Sequence, residues 1–348
     1  MKRYGLTLLV LIVFLLTIVP SWLGLYSGYI QFLLAVIGIN IILTVSLNLI
    51  NGYMGEFSVG HAAFMGVGAY VASLVTVALF GENAVLGIRD LPAPLSLLVF
   101  PIALVIGGVA AALFSLLVSI PSFRTRGDYL AVITLAVNFI FKSLVENVDA
   151  IGGPRGFMGL GGVLRVMNGV LDAPWLLIWT FLSALATVLV IRNFVTSTVG
   201  KSVVAIRDDE IAAEVMTVHT RRLKMVAFML GCGLAGVAGG LHAHLLGFIN
   251  PSSYFLLQST LILVMVYLGG IGSISGSIIS AVAFTLLLEV LRPLDLFRWV
   301  FTPLLLIFLM LFRPSGIMGD RELLDVFPRL RKYFTPAEEI IVRAPSTD

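Results

Sequence analysis

Charged residues are scarce in this chain of 348 residues: Asp, Glu, Lys and Arg together make up 12% of it, whereas 59% of the residues are apolar. An ordinary soluble domain is about 25% charged and about 45–50% apolar. A chain of this composition cannot cover a water-facing surface, so it is an integral membrane protein. The scarcity of charge therefore excludes a soluble enzyme, a nucleic-acid-binding module and a disordered chain. The net charge of +3 then reports on loop orientation rather than on an anionic partner.

Residues that carry catalytic or metal chemistry are also few. The single cysteine, Cys232, lies between Gly231 and Gly233, which excludes a disulfide framework and a thiolate metal site and indicates a small packing residue. The sequence contains no HExxH or GxSxG motif and no pair of catalytic carboxylates. Residues 195–202 end in the Gly-Lys-Ser of a phosphate-binding loop, but Val195 stands where that loop requires glycine, and a membrane helix rather than a strand precedes it. We therefore expect no catalytic residue, no metal ion, no cofactor and no nucleotide site in this chain.

Long apolar runs dominate the rest of the sequence. A helix needs about 20 predominantly apolar residues to cross the roughly 30 Å of a bilayer's hydrocarbon core. Ten windows predict an all-α, polytopic membrane protein with about ten transmembrane helices: 6–23, 29–50, 58–80, 94–120, 129–147, 175–194, 223–247, 254–271, 276–292 and 296–312. Lys2 and Arg3 precede the first run as they do in a signal peptide, but no small-x-small cleavage site follows Pro20, so we interpret this run as an uncleaved helix.

Basic residues are distributed unevenly between the two sides of this predicted arrangement. Sixteen of the 22 lysines and arginines fall on the side of the N-terminus, including all those from Arg313 onward. The positive-inside rule then places both termini in the cytoplasm. We divide the chain into a transmembrane domain over residues 1–312 and a cytoplasmic tail over 313–348, with a short helix expected around 320–333. Several glycines leave an alternative open for 248–276, a broken or re-entrant helix instead of a clean turn.

Two stretches, Gly55–Tyr70 and Gly269–Phe284, are rich in glycine and serine. Transporters are commonly built from internal repeats, so these stretches are candidates for corresponding parts of two related halves. The alternative is that both are helices whose small residues let neighbouring backbones approach closely, as in the GxxxG pair of Gly236 and Gly240.

Polar side chains inside the apolar runs are costly in a bilayer and therefore mark candidates for a transport pathway. A helix that begins within the membrane directs unpaired N–H groups and its positive dipole end at an anion such as a carboxylate, which indicates Ser58, Gly60 and His61. The alternative for His61 is a ring satisfied by a neighbouring backbone. We expect His242 and His244, near the end of another helix, to lie at the membrane interface. The candidate pathway residues are Ser58, His61, Thr134, Asn138 and Gln258; the other intramembrane polar residues include Asn40, Asn48, Ser259 and Thr260.

The loop over residues 200–216 is the most charged stretch between any two predicted helices. Either Asp208 or Asp209 is a suitable N-cap, and acidic residues are favoured in a first helical turn. Ile211 and Val215 then lie on one face of the helix. This pattern predicts a short amphipathic helix across the membrane surface, with an apolar patch available to a partner. An ordinary interfacial connector helix is the alternative.

Five segments, in order along the chain, resemble one known family. They are Asn51–Tyr70 (NGYMGEFSVGHAAFMGVGAY), Arg126–Leu135 (RGDYLAVITL), Gly152–Gly156 (GGPRG), Ala205–Met216 (AIRDDEIAAEVM) and Leu263–Ser273 (LVMVYLGGIGS). Together they resemble the LivM-type permease subunit of bacterial branched-chain amino-acid ABC importers, over residues 30–312. The resemblance implies a type II-like ABC importer permease fold in the bacterial inner membrane.

That resemblance also implies partners and roles. A LivM-like chain pairs with a LivH-like permease to form the pathway, with two ATPase subunits in the cytoplasm and a periplasmic or lipid-anchored amino-acid-binding protein. Residues 152–162 would lie where the binding protein docks. The charged loop would be the ATPase-coupling loop, whose candidate residues are Arg207, Asp208, Asp209, Glu210, Ala213 and Glu214.

Alternatives remain at the level of the sequence. Permeases for urea and short amides look similar, so these are the alternative substrates. A self-sufficient channel or secondary carrier is less favoured, because we expect no buried Asp, Glu or Arg pair in any span, whereas ion-driven carriers commonly keep such a group near the midplane. The chain also departs from the family pattern: Thr217 stands where glycine is usual, and Ser275 and Ser277 stand where Trp and Pro are expected.

Overall fold

The computed structural model describes residues 4–80, 93–124 and 129–293, together with 300, 304, 307–308, 311–312 and 316–319. A π-helical turn (Leu49–Tyr53) extends the second helix, and two short strands, β1 (Phe157–Met158) and β2 (Phe248–Ile249), pair with each other. The α-helices are α1 (Tyr4–Trp22), α2 (Gly28–Asn48), α3 (His61–Phe80), α4 (Ser96–Ser122), α5 (Tyr129–Glu146), α6 (Gly161–Val170), α7 (Trp175–Thr196), α8 (Thr198–Asp208), α9 (Glu210–Val215), α10 (Thr220–Leu246), α11 (Leu256–Gly269) and α12 (Ile274–Val290).

Seven helical segments of the described ranges are long and apolar enough to cross a membrane. They are Gly28–Tyr53, His61–Phe80, Ser96–Ser122, Tyr129–Glu146, Trp175–Thr196, Thr220–Leu246 and Pro251–Gly269. These coincide with seven of the ten predicted windows, and two shorter apolar helical segments, Val13–Trp22 of α1 and α12, correspond to two further windows. The predicted span at 296–312 lies largely outside the described residues, and the predicted tail helix at 320–333 lies wholly outside them. The prediction of an all-α polytopic membrane protein is confirmed.

Helix α10 lies at the centre of the bundle, packed against α2, α3 and α4. Glycines make the closest approaches: Gly68 of α3 faces the backbone of Gly236, and Gly239 faces the backbone of Met65. Cys232 is fully buried in the same core, as expected of a packing residue. Small residues along α10 therefore let three helices approach it closely.

Between α2 and α3 the chain is irregular. Residues 54–60 are not helical, and α3 begins at His61 rather than at residue 58 as predicted. Helices α3 and α10 run parallel, because Gly68 packs on Gly236 and Thr76 hydrogen-bonds to His244 with the same offset of 168 residues. That offset puts His61 level with residue 229, which lies about 14 Å along α10 from its first residue at 1.5 Å per residue. Helix α3 therefore begins well inside the bundle.

A shorter break separates α11 from α12. Gly270 and Gly272 adopt φ angles of 115° and 84°, which glycine takes without strain. Ser273 then caps α12 by accepting a hydrogen bond from the Gly276 N–H at 3.0 Å. The preceding segment Pro251–Gly269 is long and apolar enough to cross a membrane, and a tight turn joins it to α12.

The turn at residues 316–319 closes over this second break. The N–H groups of Ile317 and Met318 donate to the carbonyls of Leu268 and Gly269 at 2.8 and 3.1 Å. These carbonyls belong to the last turn of α11, where backbone acceptors have no partner within the helix. The turn at 316–319 is thereby attached to the bundle.

The segment between α5 and α7 forms an ordered cap at the end of the bundle where α10 finishes. Strand β1 pairs antiparallel with β2, which directly follows α10, so that Phe157 lies opposite Ile249. Helix α6 buries Val163 and Met167. The glycine-rich stretch 152–162 is thus fixed at the end of the bundle opposite to α8 and α9.

Candidate functional site

Polar side chains surround the irregular segment where α3 begins. The Val59 N–H donates to Thr134 Oγ1 at 3.2 Å, and Asn138 Nδ2 donates to the Val59 carbonyl at 2.9 Å. The Ala62 N–H donates to Ser259 Oγ at 3.0 Å. Non-helical backbone inside an apolar bundle needs such partners, so these side chains replace the missing helical hydrogen bonds. We define the polar cluster as Ser58, His61, Thr134, Asn138 and Ser259.

His61 is fully enclosed within the polar cluster. Its ring is buried, and Nε2 lies 2.8 Å from Ser46 Oγ on α2. Three buried atoms of the cluster have no hydrogen-bond partner among the described residues: His61 Nδ1, Ser58 Oγ and Asn138 Oδ1. A ring nitrogen, a hydroxyl and an amide oxygen can between them donate and accept hydrogen bonds. The polar cluster therefore holds unpaired hydrogen-bonding groups of both kinds at the start of α3.

Four of the five predicted pathway residues meet in the polar cluster. The exception is Gln258, which is half-buried on α11, whereas the neighbouring Ser259 contacts the start of α3. One step along a helix turns the side chain by about 100°. The three consecutive polar residues at 258–260 gave no signal for choosing which of them faces the bundle.

His244, the third residue from the end of α10, is buried within the bundle. Its Nε2 lies 2.9 Å from Thr76 Oγ1 and its Nδ1 lies 2.7 Å from the Gly240 carbonyl, while its ring meets Phe100 edge-on. Helices α3 and α4 cover this end of α10 and bury the ring. His242 is partly buried and bonds to the Tyr254 hydroxyl at 3.0 Å. Across the described ranges, no three His, Cys, Asp or Glu side chains come together in a way that could hold a metal ion.

Asn48, the last residue of α2, is bonded to the second break in the chain. Its Oδ1 accepts a hydrogen bond from the Gly272 N–H at 2.9 Å. Its Nδ2 donates to the Ser273 carbonyl at 2.9 Å and to Ser277 Oγ at 2.7 Å. Ser277, which replaces a residue of the family pattern, thus takes part in this junction. The end of α2 is therefore fixed to the second glycine- and serine-rich stretch, Gly269–Phe284.

Helix α9 presents apolar side chains on the surface. Asp209 caps the helix by accepting a hydrogen bond from the Ile211 N–H at 2.9 Å, as one of the two predicted caps. Ala213 is buried, whereas Ile211, Val215 and Met216 are 70%, 77% and 75% exposed. We call these three exposed residues the α9 patch. It is the apolar face that the sequence pattern predicted.

Charged residues of the loop bond back to the bundle. Arg207 donates to the Gly52 carbonyl at 3.2 Å and pairs with Asp208 at 2.9 Å. Glu210 pairs with Lys224 of α10 at 2.9 Å. These contacts fix the loop in place and leave the α9 patch facing outward.

The chain leaves α9 through a residue in an uncommon conformation. Thr217 has a φ of 64°, in the left-handed region that glycine, the usual residue of the family here, adopts without penalty. Glu214 accepts a hydrogen bond from Thr220 Oγ1 at 3.2 Å, which ties the end of α9 to the start of α10. A cleft of about 840 Å³ opens beside this exit and is lined in part by His219 and Arg221.

Comparison with known proteins identifies relatives of this chain. The family described as "Branched-chain amino acid transport system / permease component" matches residues 29–312. The chain is 30% identical to the "High-affinity branched-chain amino acid transport system permease protein LivM" of Escherichia coli over 304 residues. That alignment covers 80% of this chain and 68% of the relative.

Two further relatives extend the comparison. The LivH permease protein of the same kind of transport system in Salmonella typhimurium is 31% identical over 192 residues, which cover 52% of this chain and 60% of the relative. A probable LivM permease of Methanocaldococcus jannaschii is 22% identical over 362 residues and covers 91% of this chain and 96% of the relative. No solved structure matches the chain. The resemblance of the five sequence segments to a LivM-type permease is confirmed.

Proposed function

The chain belongs to the family of branched-chain amino acid transport permeases, and on that basis we propose that it is the membrane-spanning permease subunit of an ABC importer. It forms half of a pathway that carries branched-chain amino acids across the inner membrane. It is a transport subunit and not an enzyme, and ATP hydrolysis in partner subunits drives it. The names of the LivM and LivH relatives support the substrate class.

Partners occupy both ends of the bundle in this proposal. Similarity to both LivM and LivH proteins supports pairing with a second, LivH-like permease. One of two cytoplasmic ATPases docks on the α9 patch of this chain, and the other docks on the second permease. A periplasmic or lipid-anchored amino-acid-binding protein docks at the other end, where residues 152–162 lie. Both termini are then cytoplasmic, in agreement with the excess of basic residues on that side.

The α9 patch is the observation that carries the proposal. Three apolar side chains exposed together on a capped helix are typical of a docking surface, because burying them against a partner is favourable. The charged residues of the loop bond to the bundle, and Ala213 is buried beneath it. An ATPase bound to the patch therefore moves α8, α9 and the adjoining end of the bundle together.

We assign the polar cluster to the translocation pathway. Its residues are buried in the described conformation, so substrate reaches them only after the helices rearrange. Neutral hydrogen-bonding groups at a helix N-terminus suit an amino acid, whose carboxylate the positive end of the helix dipole attracts. Gln258 lies outside the cluster in this conformation.

Uptake of radiolabelled leucine tests the substrate class. Deleting the gene for this chain in its own host is expected to abolish saturable uptake of leucine, isoleucine and valine through this system and to leave urea and acetamide uptake unchanged. A plasmid copy of the wild-type chain restores the lost uptake. Loss of urea or acetamide uptake, with leucine uptake intact, would instead assign the chain to the related amide permeases.

A further inference from the structure

Lys224 lies in the second turn of α10, between two carboxylates. Its Nζ is 2.8 Å from Glu56 Oε1 and 2.9 Å from Glu210 Oε1. The Lys224 side chain is only 10% exposed, against 17% for Glu56 and 46% for Glu210. Glu56 belongs to the irregular segment between α2 and α3, and Glu210 is the first residue of α9. One ammonium group thus joins three elements of the chain.

A second contact links the same two regions. Arg207, near the end of α8, donates to the Gly52 carbonyl at 3.2 Å. Its aliphatic part fills the space beside Gly55, where a side chain would collide with it. Arg207 of α8 and Lys224 of α10 therefore hold the two ends of the stretch 52–56, a few residues before Ser58.

The stretch held in this way leads directly into the polar cluster. From Glu56 the chain runs without helical structure to His61. In this segment the Ser58 N–H donates to Asn51 Oδ1 at 3.2 Å and the Val59 N–H donates to Thr134 Oγ1 at 3.2 Å. Ser58 and Val59 follow Glu56 by two and three residues, which is at most about 10 Å of extended chain at about 3.3 Å per residue. A displacement of Glu56 therefore disturbs these hydrogen bonds.

We propose that Lys224 is a positioning residue that transmits movement of α9 to the segment 54–60 and hence to the polar cluster. The inference rests on the proposed docking of an ATPase on α9. Separating Lys224 from Glu56 would leave the poorly hydrated Glu56 carboxylate without its cation, so α10 and the segment stay together. Glu210 is more exposed, and its pairing with Lys224 is weaker and more readily broken and remade. Lys224 therefore holds the segment permanently and holds α9 reversibly.

Hydrogen exchange of the full-length chain in lipid nanodiscs tests the link without reference to transport. In Lys224→Met, Glu56 and Glu210 lose their shared counter-charge, and we expect exchange of the amides at 58–62 to rise about tenfold. Lys224→Arg keeps the charge and is expected to stay within about twofold of the wild type. The matched control is Lys142→Met, which removes another lysine that pairs with one glutamate, at 3.8 Å on the surface of α5. We expect this control to leave the amide exchange of residues 58–62 unchanged.

Glu210→Gln separates transmission from folding, because it leaves Lys224 paired with Glu56. We expect this variant to reach the membrane at the wild-type level, to keep the slow exchange of residues 58–62, and to transport leucine more slowly per ATP hydrolysed. Unchanged exchange in Lys224→Met, or full coupling of ATP hydrolysis to uptake in Glu210→Gln, would overturn the inference. If the wild-type chain takes up no leucine, the proposed function fails, and the exchange experiment still decides whether Lys224 links α9 to the segment.

Discussion

Placing two carboxylates on the α9 patch is expected to abolish transport while the chain still folds. Ile211→Asp combined with Val215→Asp changes two highly exposed side chains, and exposed substitutions usually alter stability by less than about 0.5 kcal/mol. Each aliphatic side chain contributes about 1.5–3 kcal/mol when fully buried in a contact, and a carboxylate buried there without a partner is unfavourable. ATPase binding is therefore expected to weaken by at least about a hundredfold. The measurements are co-purification of the ATPases with the chain and uptake of labelled leucine.

Val199→Asp is the control for this double variant. Val199 is an apolar residue of α8, 38% exposed, and lies outside the α9 patch. We expect it to leave ATPase co-purification and uptake close to wild type. Wild-type uptake by the double variant, with the ATPases still bound, would show that the patch is not the docking surface.

The glycine contact at the centre of the bundle gives the second large expected effect. Gly68→Val is expected to prevent correct packing of α3 on α10, because a Cβ at this position would overlap the backbone of Gly236. A flexible side chain can move aside, but two helix backbones cannot separate without disturbing the whole core. Overpacking usually costs about 1–3 kcal/mol, and a backbone collision falls at or above the upper end of that range. The loss of stability is measured as the thermal unfolding temperature in detergent, with size-exclusion chromatography as the readout of folded protein.

Gly169→Val serves as the matched control for this substitution. Gly169 is also helical, and no atom that the described structure places lies within 4 Å of a Cβ built on it. Its unfolding temperature is expected to remain near that of the wild type, since only helix propensity changes. A Gly68→Val protein as stable as Gly169→Val would contradict the close packing of α3 and α10.

The sequence predicted the helices best where a bilayer alone dictates them. A span needs about 20 apolar residues whatever its neighbours are, so the windows at 29–50 and 223–247 match α2 and α10 closely. The start of α3 was missed by three residues for the opposite reason. The backbone at 59–62 is satisfied by Thr134 and Ser259, which lie 75 and 197 residues further along the chain. No local pattern contains that information.

The residues of the candidate site likewise fall into those that the sequence reveals and those that only the fold brings together. Ser58, His61 and Asn138 were found because polar residues are conspicuous in apolar runs. Lys224 was counted only as a basic residue, and Glu56 was not singled out, because 168 residues separate the two partners. A lone acidic residue in a glycine-rich apolar stretch was the available signal, and only the fold shows which cation neutralises it.

Leucine flux in proteoliposomes tests most directly whether the chain is one half of an ATP-driven pathway. The flux is measured with the purified chain alone and with the chain assembled with its second permease, its two ATPases and the binding protein. We expect the chain alone to give no flux above that of protein-free liposomes, and the assembly to accumulate leucine only when ATP is supplied on the ATPase side. Flux of leucine through the chain alone, without ATP, would contradict this function and identify a self-sufficient channel or carrier.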